Sequence, residues 1–156
     1  MSFVIKPEII GTFKQSEFLT PPSWAKTTMK NGGETKVWRE DLEIRGLRIG
    51  ENEDGNYVSF NFVIPRDVVS DNQGRVTSLY LGFPHDDTST RYRISGQQLF
   101  EVFKAAGFEP VVDGGLDMGQ IDQNALMGMR VNAQVSVGPD KNGIQRQNLN
   151  YFRPIK

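Results

Sequence analysis

The strongest constraint on the fold is a run of alternating apolar and charged residues that begins at Thr35. Val37, Leu42 and Leu47 fall among lysine, arginine and glutamate residues at a spacing close to two, and the spacing slips once around Gly46. Alternation of this kind predicts a strand with one buried face, and a slip at a glycine predicts a β-bulge. We therefore expect a β domain that starts with one long, bent strand.

Two more strands follow this first one. Turn-forming residues fill 51–56, and 56–64 then alternates, with its apolar side chains on one side. A second turn at 71–74 leads into another alternating stretch at 76–83. The pattern predicts a meander of three antiparallel strands, with a continuous apolar side on strands two and three that we assign to the core. The core residues on that side are Phe60, Phe62, Leu79 and Leu81.

One helix is predicted, with its N-cap at Ser95. Gln98 stands three residues later, as in a capping box, and Ile94 and Leu99 have the spacing of a hydrophobic staple. Apolar residues at helical spacing continue for roughly three turns. Gly107 is expected to end the helix.

The C-terminal part of the chain predicts a final hairpin. Residues 129–137 alternate, 138–143 are turn residues, and 144–155 form the returning strand. Three strands, a helix and two strands is the element order of the oligonucleotide-binding (OB) fold. We therefore expect 35–156 to be all-β with one helix, a five-stranded Greek-key OB barrel whose helix lies between strands three and four.

Residues 1–34 are expected to form an N-terminal arm. Prolines and glycines interrupt it, but it is rich in large apolar residues, so we predict that parts of it pack against the barrel. A flexible linker is the alternative. Neither the arm nor the rest of the chain has the roughly 20 apolar residues of a membrane helix, and the start lacks a signal-peptide pattern. These features predict a cytoplasmic protein.

Composition argues against several kinds of chemistry. The chain has no cysteine and a single histidine, so disulfides, a thiol nucleophile and cysteine-based zinc sites are excluded. Neither a phosphate-binding glycine loop nor a nucleophile elbow is present, and no cofactor is expected. His85, Asp86 and Asp87 have metal-ligand chemistry, but without a second cluster a solvated loop is the preferred interpretation. We expect a non-enzymatic protein, and keep a carboxylate-based hydrolase as a remote alternative.

Single-stranded nucleic acid binding needs cations that follow phosphates and aromatic rings that stack on bases. The 18 basic and 19 acidic residues give a formal charge of −1, so only a local basic surface can provide the cations. The predicted strands, together with a triplet before the helix, carry such residues. The candidates are Arg45, Arg48, Tyr57, Arg66, Tyr80, Arg91, Tyr92, Arg93, Arg130, Lys141, Arg146, Tyr151 and Arg153.

Each candidate also has a structural interpretation. An individual arginine can be a solvated surface charge, and Tyr57 and Tyr80 can be half-buried packing residues. The triplet 91–93 can form a short strand at the edge of the barrel. Trp38 can be a stacking platform or a plug at the end of the barrel, and the sequence does not decide between them.

Short segments at 99–107, 126–128, 139–143 and 148–150 resemble small phage-encoded proteins that are associated with replication and recombination genes. The resemblance covers roughly 35–152, and it implies phage DNA metabolism, since some of these proteins are presumed single-strand binders. Two features depart from it. The chain ends in Arg-Pro-Ile-Lys rather than in the acidic tail that many bacterial single-strand-binding proteins use to recruit partners, and the N-terminal arm is not explained.

We conclude from the sequence that the chain is expected to bind and protect single-stranded DNA, with little sequence preference, during phage-type replication or recombination. Its expected partners are single-stranded DNA, replication or recombination proteins and further copies of itself, with no membrane. The alternative is a virion or tail protein that uses the barrel and the arm for self-association.

Overall fold

The computed structural model describes residues 18–110 and 115–155. Within them, six strands form one antiparallel sheet beside one main helix, in the order β4-β3-β2-β5-β6, with β1 also paired to β2. This agrees with the predicted mostly-β class. The strands are β1 (Lys26–Lys30), β2 (Gly33–Asn52), β3 (Gly55–Val63), β4 (Val76–Pro84), β5 (Arg130–Pro139) and β6 (Gln145–Arg153). The helices are α1 (Thr90–Ala106), α2 (Gln123–Leu126) and a 3-10 turn at Met118–Gln120.

The long strand β2 connects the two halves of the sheet. Its first half pairs with β5 and its second half with β3, and both partners meet it at Glu43. The register with β3 shifts between Ile44 and Gly46, which leaves Arg45 as the extra residue of a β-bulge. The bent strand and its bulge are confirmed where the alternation of the sequence slips.

The sheet has six strands and not the predicted five, because β1 folds back onto the start of β2. Lys30 pairs with Gly33, so Asn31 and Gly32 form a two-residue turn, with φ of 54° and 79°. Positive φ at both positions is typical of a type I′ turn, for which Asn-Gly is a preferred sequence. The strand β1 therefore lies inside the stretch that was predicted as an arm. Residues 1–17 lie outside the described residues.

A closed barrel was predicted, but the strand order among the described residues has two ends, at β4 and β6. No backbone ladder joins these two strands in that order. A side chain spans the seam between them instead: Gln147 Nε2 donates to Thr77 Oγ1 at 2.8 Å. Gln147 Oε1 also accepts from Leu19 N at 2.7 Å, and Leu19 is buried.

The N-cap of the helix lies six residues earlier than predicted. Ser89 is the N-cap, and its side chain accepts from the backbone N–H of Tyr92. Ser95 is fully buried inside the helix, so its assignment as N-cap was wrong. The predicted end is confirmed, since Gly107 caps the helix in the left-handed conformation, with φ of 80°. The triplet 91–93 consequently forms the first turn of α1 and is not an edge strand or a segment before the helix.

The core lies on the inner face of the sheet, under α1. The four predicted core residues of β3 and β4 are confirmed as buried. Phe103 of α1 packs edge-on against Phe60, with ring centroids 6.2 Å apart. Trp38 is 3% exposed and its Nε1 donates to Glu40 Oε1, so the stacking-platform interpretation of Trp38 was wrong. In the described part of the chain, no helix has the length and apolar character needed to cross a membrane.

Candidate nucleic-acid interface

The outward side chains of β2, β3 and β4 form rows across the sheet. Arg48, Ser59 and Tyr80 stand opposite one another, and the neighbouring row consists of Gly50, Tyr57 and Gly82. This arrangement follows from strand alternation, because the intervening residues of β3 and β4 point into the core. We call these two rows the tyrosine face.

The two tyrosines of this face stack on each other. The ring centroids of Tyr57 and Tyr80 are 5.4 Å apart and the planes differ by 22°. Tyr80 is 57% exposed, whereas Tyr57 is half-buried. Asn52 Nδ2 donates to the Tyr80 hydroxyl at 3.2 Å, which helps to hold that ring at the surface. Tyr80 therefore presents an open aromatic surface.

Glycines beside the tyrosines allow the rings to lie close to the sheet. A Cβ added at Gly50 would stand 2.4 Å from Cζ and the hydroxyl oxygen of Tyr57, so any larger residue there would displace the Tyr57 ring. At Gly82, an added Cβ would be 3.6 Å from Cε1 of Tyr80, which is an ordinary contact. Gly50 therefore tolerates a side chain less well than Gly82 does.

A groove runs beside Tyr80, between the edge of β4 and strand β6. Its volume is about 620 Å³, and its lining includes Arg91 from the first turn of α1 and Arg146 from β6. Asn52 and Asn148 also line it. The groove follows the seam where β4 and β6 lack a backbone ladder, so we call it the seam groove.

A second cavity continues from the seam groove toward the β1–β2 and β5–β6 turns. It has a volume of about 430 Å³ and shares Arg146 and Asn148 with the seam groove. Lys30 and Lys141 line it from the two turns. Cations from three separate parts of the chain therefore follow one path away from the tyrosine face.

Arg146 is held in place by Asp140. The two side chains form an ion pair with Arg146 Nε 3.0 Å from Asp140 Oδ2. The hydrogen bond from Arg146, followed by backbone N–H donors, keeps the pKa of the Asp140 carboxyl below its ordinary value. The Arg146 side chain remains 59% exposed, so the ion pair orients the guanidinium and leaves much of it open to solvent.

Two other predicted arginines, Arg45 and Arg130, lie near the bulge of β2, and both are neutralised by acids. Arg45 Nε is 2.7 Å from Glu43, and Arg130 contacts both Glu43, at 3.3 Å, and Asp67, at 3.0 Å. The hydrogen bond with Arg130 lowers the pKa of Asp67. Arg66 follows β3 and lies over Gly74, where its guanidinium occupies the space of a Cβ.

Tyr151 and Arg153 lie at the other end of β6 from Arg146. Arg153 Nε donates to Asn132 Oδ1 at 3.1 Å, and Arg39 donates to the same oxygen and to the Tyr151 carbonyl. Burial, followed by the charge of Arg153, lowers the pKa of Arg39. Tyr151 is 67% exposed at a backbone φ of 52°. These side chains form a separate polar cluster.

The predicted candidates thus divide into groups. Tyr92 packs edge-on against Phe83, with centroids 5.2 Å apart, and Arg93 is exposed on α1. Six candidates line the tyrosine face or the cavities that continue from it: Arg48, Tyr57, Tyr80, Arg91, Lys141 and Arg146. Sequence reasoning missed Lys30, Asn52 and Asn148, of which only Lys30 carried a signal, as a cation next to an Asn-Gly turn.

The loop that follows β4 carries the metal-ligand residue types noted in the sequence. A ring nitrogen of His85 lies 3.2 Å from the Glu53 carbonyl oxygen, and Asp86 accepts hydrogen bonds from Thr88. The hydrogen bonds from Thr88 lower the pKa of Asp86. Across residues 18–110 and 115–155, no three histidine, aspartate or glutamate side chains converge as a metal site would require.

No protein-family model matches this sequence, and no curated protein is significantly similar to it.

Proposed function

We propose that this chain binds single-stranded DNA, with little sequence preference, through the tyrosine face and the seam groove. The observation that carries the proposal is the exposed Tyr80 ring, stacked on Tyr57, at the entrance of a groove lined by Arg91 and Arg146. Bases stack on exposed aromatic rings, and each such contact is worth about 1–3 kcal/mol. Cations along the groove would then form ion pairs with the phosphates of the bound strand.

Local charge supports the proposal although the whole chain is nearly neutral. Five cations border the tyrosine face and the two cavities, and they are Lys30, Arg48, Arg91, Lys141 and Arg146. The acids that line the same cavities are Asp54 and Asp140, and Asp140 is already paired with Arg146. The path therefore has a positive excess that the overall charge of −1 hides.

We also propose that the sheet is an OB-type barrel that is open at one seam. The order β4-β3-β2-β5-β6 and the shared, bent β2 support this, and so does the Gln147–Thr77 hydrogen bond across the seam. The resemblance to phage-encoded proteins adds a context of phage-type replication or recombination, in which further copies of the chain and replication or recombination proteins are the expected partners.

Fluorescence anisotropy with labelled oligo-dT, at low and high salt, tests the proposal. We expect binding at low salt that weakens steeply as salt rises. Each phosphate contact on a single strand contributes about −0.7 to the slope of log K against log salt. Contacts from all five cations would give a slope of about −3.5, and fewer contacts would give a shallower slope. No binding at low salt would overturn the proposal, and self-association measured alongside it would favour the structural alternative.

Tyr80→Ala is the most direct variant. Loss of one stacked base should weaken oligo-dT binding by roughly five- to 150-fold, with little change in the salt slope. Tyr151→Asn is the matched control, because it removes an exposed tyrosine from the other end of β6 and asparagine tolerates a positive φ. Equal effects of the two variants would argue against stacking at the tyrosine face.

A further inference from the structure

An apolar cleft lies between α1, the end of the β2–β3 hairpin and the turn at 116–119. Its volume is about 450 Å³, within the range of small-ligand sites. Four aromatic residues contribute to its lining, and all four are half-buried or exposed. They are Tyr57, Phe83, Tyr92 and Phe100.

The charge of the cleft selects against phosphate. None of its lining residues is a lysine or arginine, and Asp117 contributes a carboxylate. Asp117 Oδ1 accepts from Gly119 N at 2.9 Å, which fixes the orientation of that carboxylate. A phosphate in the cleft would face a negative charge with no cation beside it. A flat, uncharged ring with an amino group fits the lining, because aromatic walls stack on it and a carboxylate accepts from the amino group.

Gly96 keeps part of the cleft open. It lies in the interior of α1, where glycine is less favourable than alanine by about 0.5–1 kcal/mol. A Cβ added there would meet no atom within 4 Å, so the missing side chain leaves real space next to the aromatic walls.

The cleft is continuous with the proposed DNA path. Asn56 and Phe83 line both the cleft and the seam groove. Tyr57 lines the cleft and stacks on Tyr80, which stands in the seam groove. A strand that follows the seam groove therefore passes the mouth of the cleft.

On the basis of the proposed function, we propose that the cleft receives one unstacked base of the bound strand. The base lies among the aromatic side chains, and its exocyclic amino group points toward Asp117. Cytosine, adenine and guanine carry such an amino group and thymine does not. The cleft therefore adds a modest preference for oligo-dC over oligo-dT to binding that otherwise ignores sequence.

Gly96→Leu tests the proposal, because a leucine side chain would fill the cleft from a helix position with open space around it. Gly96→Ala is the control for the helix, and thermal melting of both variants checks folding. The wild type should bind oligo-dC at least about threefold more tightly than oligo-dT, as expected for one ordinary net hydrogen bond at a solvent-exposed group. Gly96→Leu should lose that preference and bind both strands several-fold more weakly, and Asp117→Asn should reduce the preference alone.

The outcomes separate the two proposals. Absence of wild-type binding to either oligonucleotide would overturn the proposed function and the cleft proposal together. The cleft proposal alone would be overturned if the wild type binds oligo-dT and Gly96→Leu has the same affinity for oligo-dT and the same ratio of oligo-dC to oligo-dT affinity as the wild type. In that case the cleft would be open to another occupant, such as an aromatic side chain of a protein.

Discussion

Glu40 is a carboxylate buried on the central strand β2. It is 5% exposed, and it accepts hydrogen bonds from Trp38 Nε1 at 3.1 Å and from Ser70 Oγ at 2.8 Å. Burial is the largest influence and raises the pKa of Glu40, and the hydrogen bonds oppose it. The folded protein therefore holds the Glu40 proton more tightly than the unfolded chain does.

This difference in pKa predicts a pH-dependent stability. Because the folded state binds more protons at Glu40, the free energy of unfolding should fall as pH rises from about 4.5, the ordinary value, through the higher pKa of the folded state. Glu40→Gln cannot ionise, so it should gain thermal stability relative to the wild type as pH increases. Melting curves between pH 4 and 8 measure the difference, and curves that stay parallel would contradict the prediction.

At the scale of the elements, the start of α1 shows how a local sequence pattern misleads. Ser95 with Gln98 matches a capping box, but the same spacing occurs inside a helix, where the backbone donors already have partners. Ser89 caps the helix without a glutamate or glutamine at the third position, where Tyr92 stands. The buried faces of the strands were easier to predict, because the alternation of apolar and polar residues indicates at each position whether the side chain is buried.

Two serine variants test this assignment. Ser89→Ala removes the acceptor for Tyr92 N and should lower the free energy of unfolding by about 0.5–2 kcal/mol. Ser95→Ala should be neutral or stabilising, because the Ser95 hydroxyl is buried without a hydrogen-bond partner among the described residues and alanine favours helix. Urea denaturation of both variants gives the comparison, and the reverse order would restore Ser95 as the cap.

At the scale of the whole molecule, Gln147 connects three distant segments. Its side chain contacts Thr77 of β4 and Leu19 of the N-terminal segment from its own position on β6. Thr77 is fully buried, so its hydroxyl would have no access to water if this donor were lost. The seam between β4 and β6 thus depends on a side chain where a closed barrel uses backbone.

Gln147→Ala should therefore lower the free energy of unfolding more than a substitution at an exposed position does. An unsatisfied buried hydroxyl costs about 1–3 kcal/mol, so the urea midpoint should fall accordingly. Gln145→Ala, an exposed glutamine on the same strand, is the control and should have little effect. Limited proteolysis should also cut near Leu19 sooner in Gln147→Ala. Identical midpoints for the two variants would show that the bridge does not hold the seam.

The candidate site was only partly predictable from the sequence. Tyr57 and Tyr80 were identified from alternation, because each lies on the side of its strand that faces away from the core residues. The pairing of Arg130 with Glu43 and Asp67 was not predictable, because these residues are far apart in the sequence and meet only through the fold. Exposed and neutralised arginines look identical in a sequence.

The bulge at Arg45 determines which of the later side chains of β2 face the core and which face solvent. Before the bulge, Leu42 and Ile44 face the core, and after it Leu47 does. If β2 kept Arg45 in regular pairing, without a bulge, the two-residue phase would continue unbroken, which would turn Arg48 inward and Leu47 out to water. Deleting the Arg45 codon would instead leave both faces in place, because the bulge absorbs the one residue by which the sequence exceeds regular alternation, and the length of the chain here is matched to its bend.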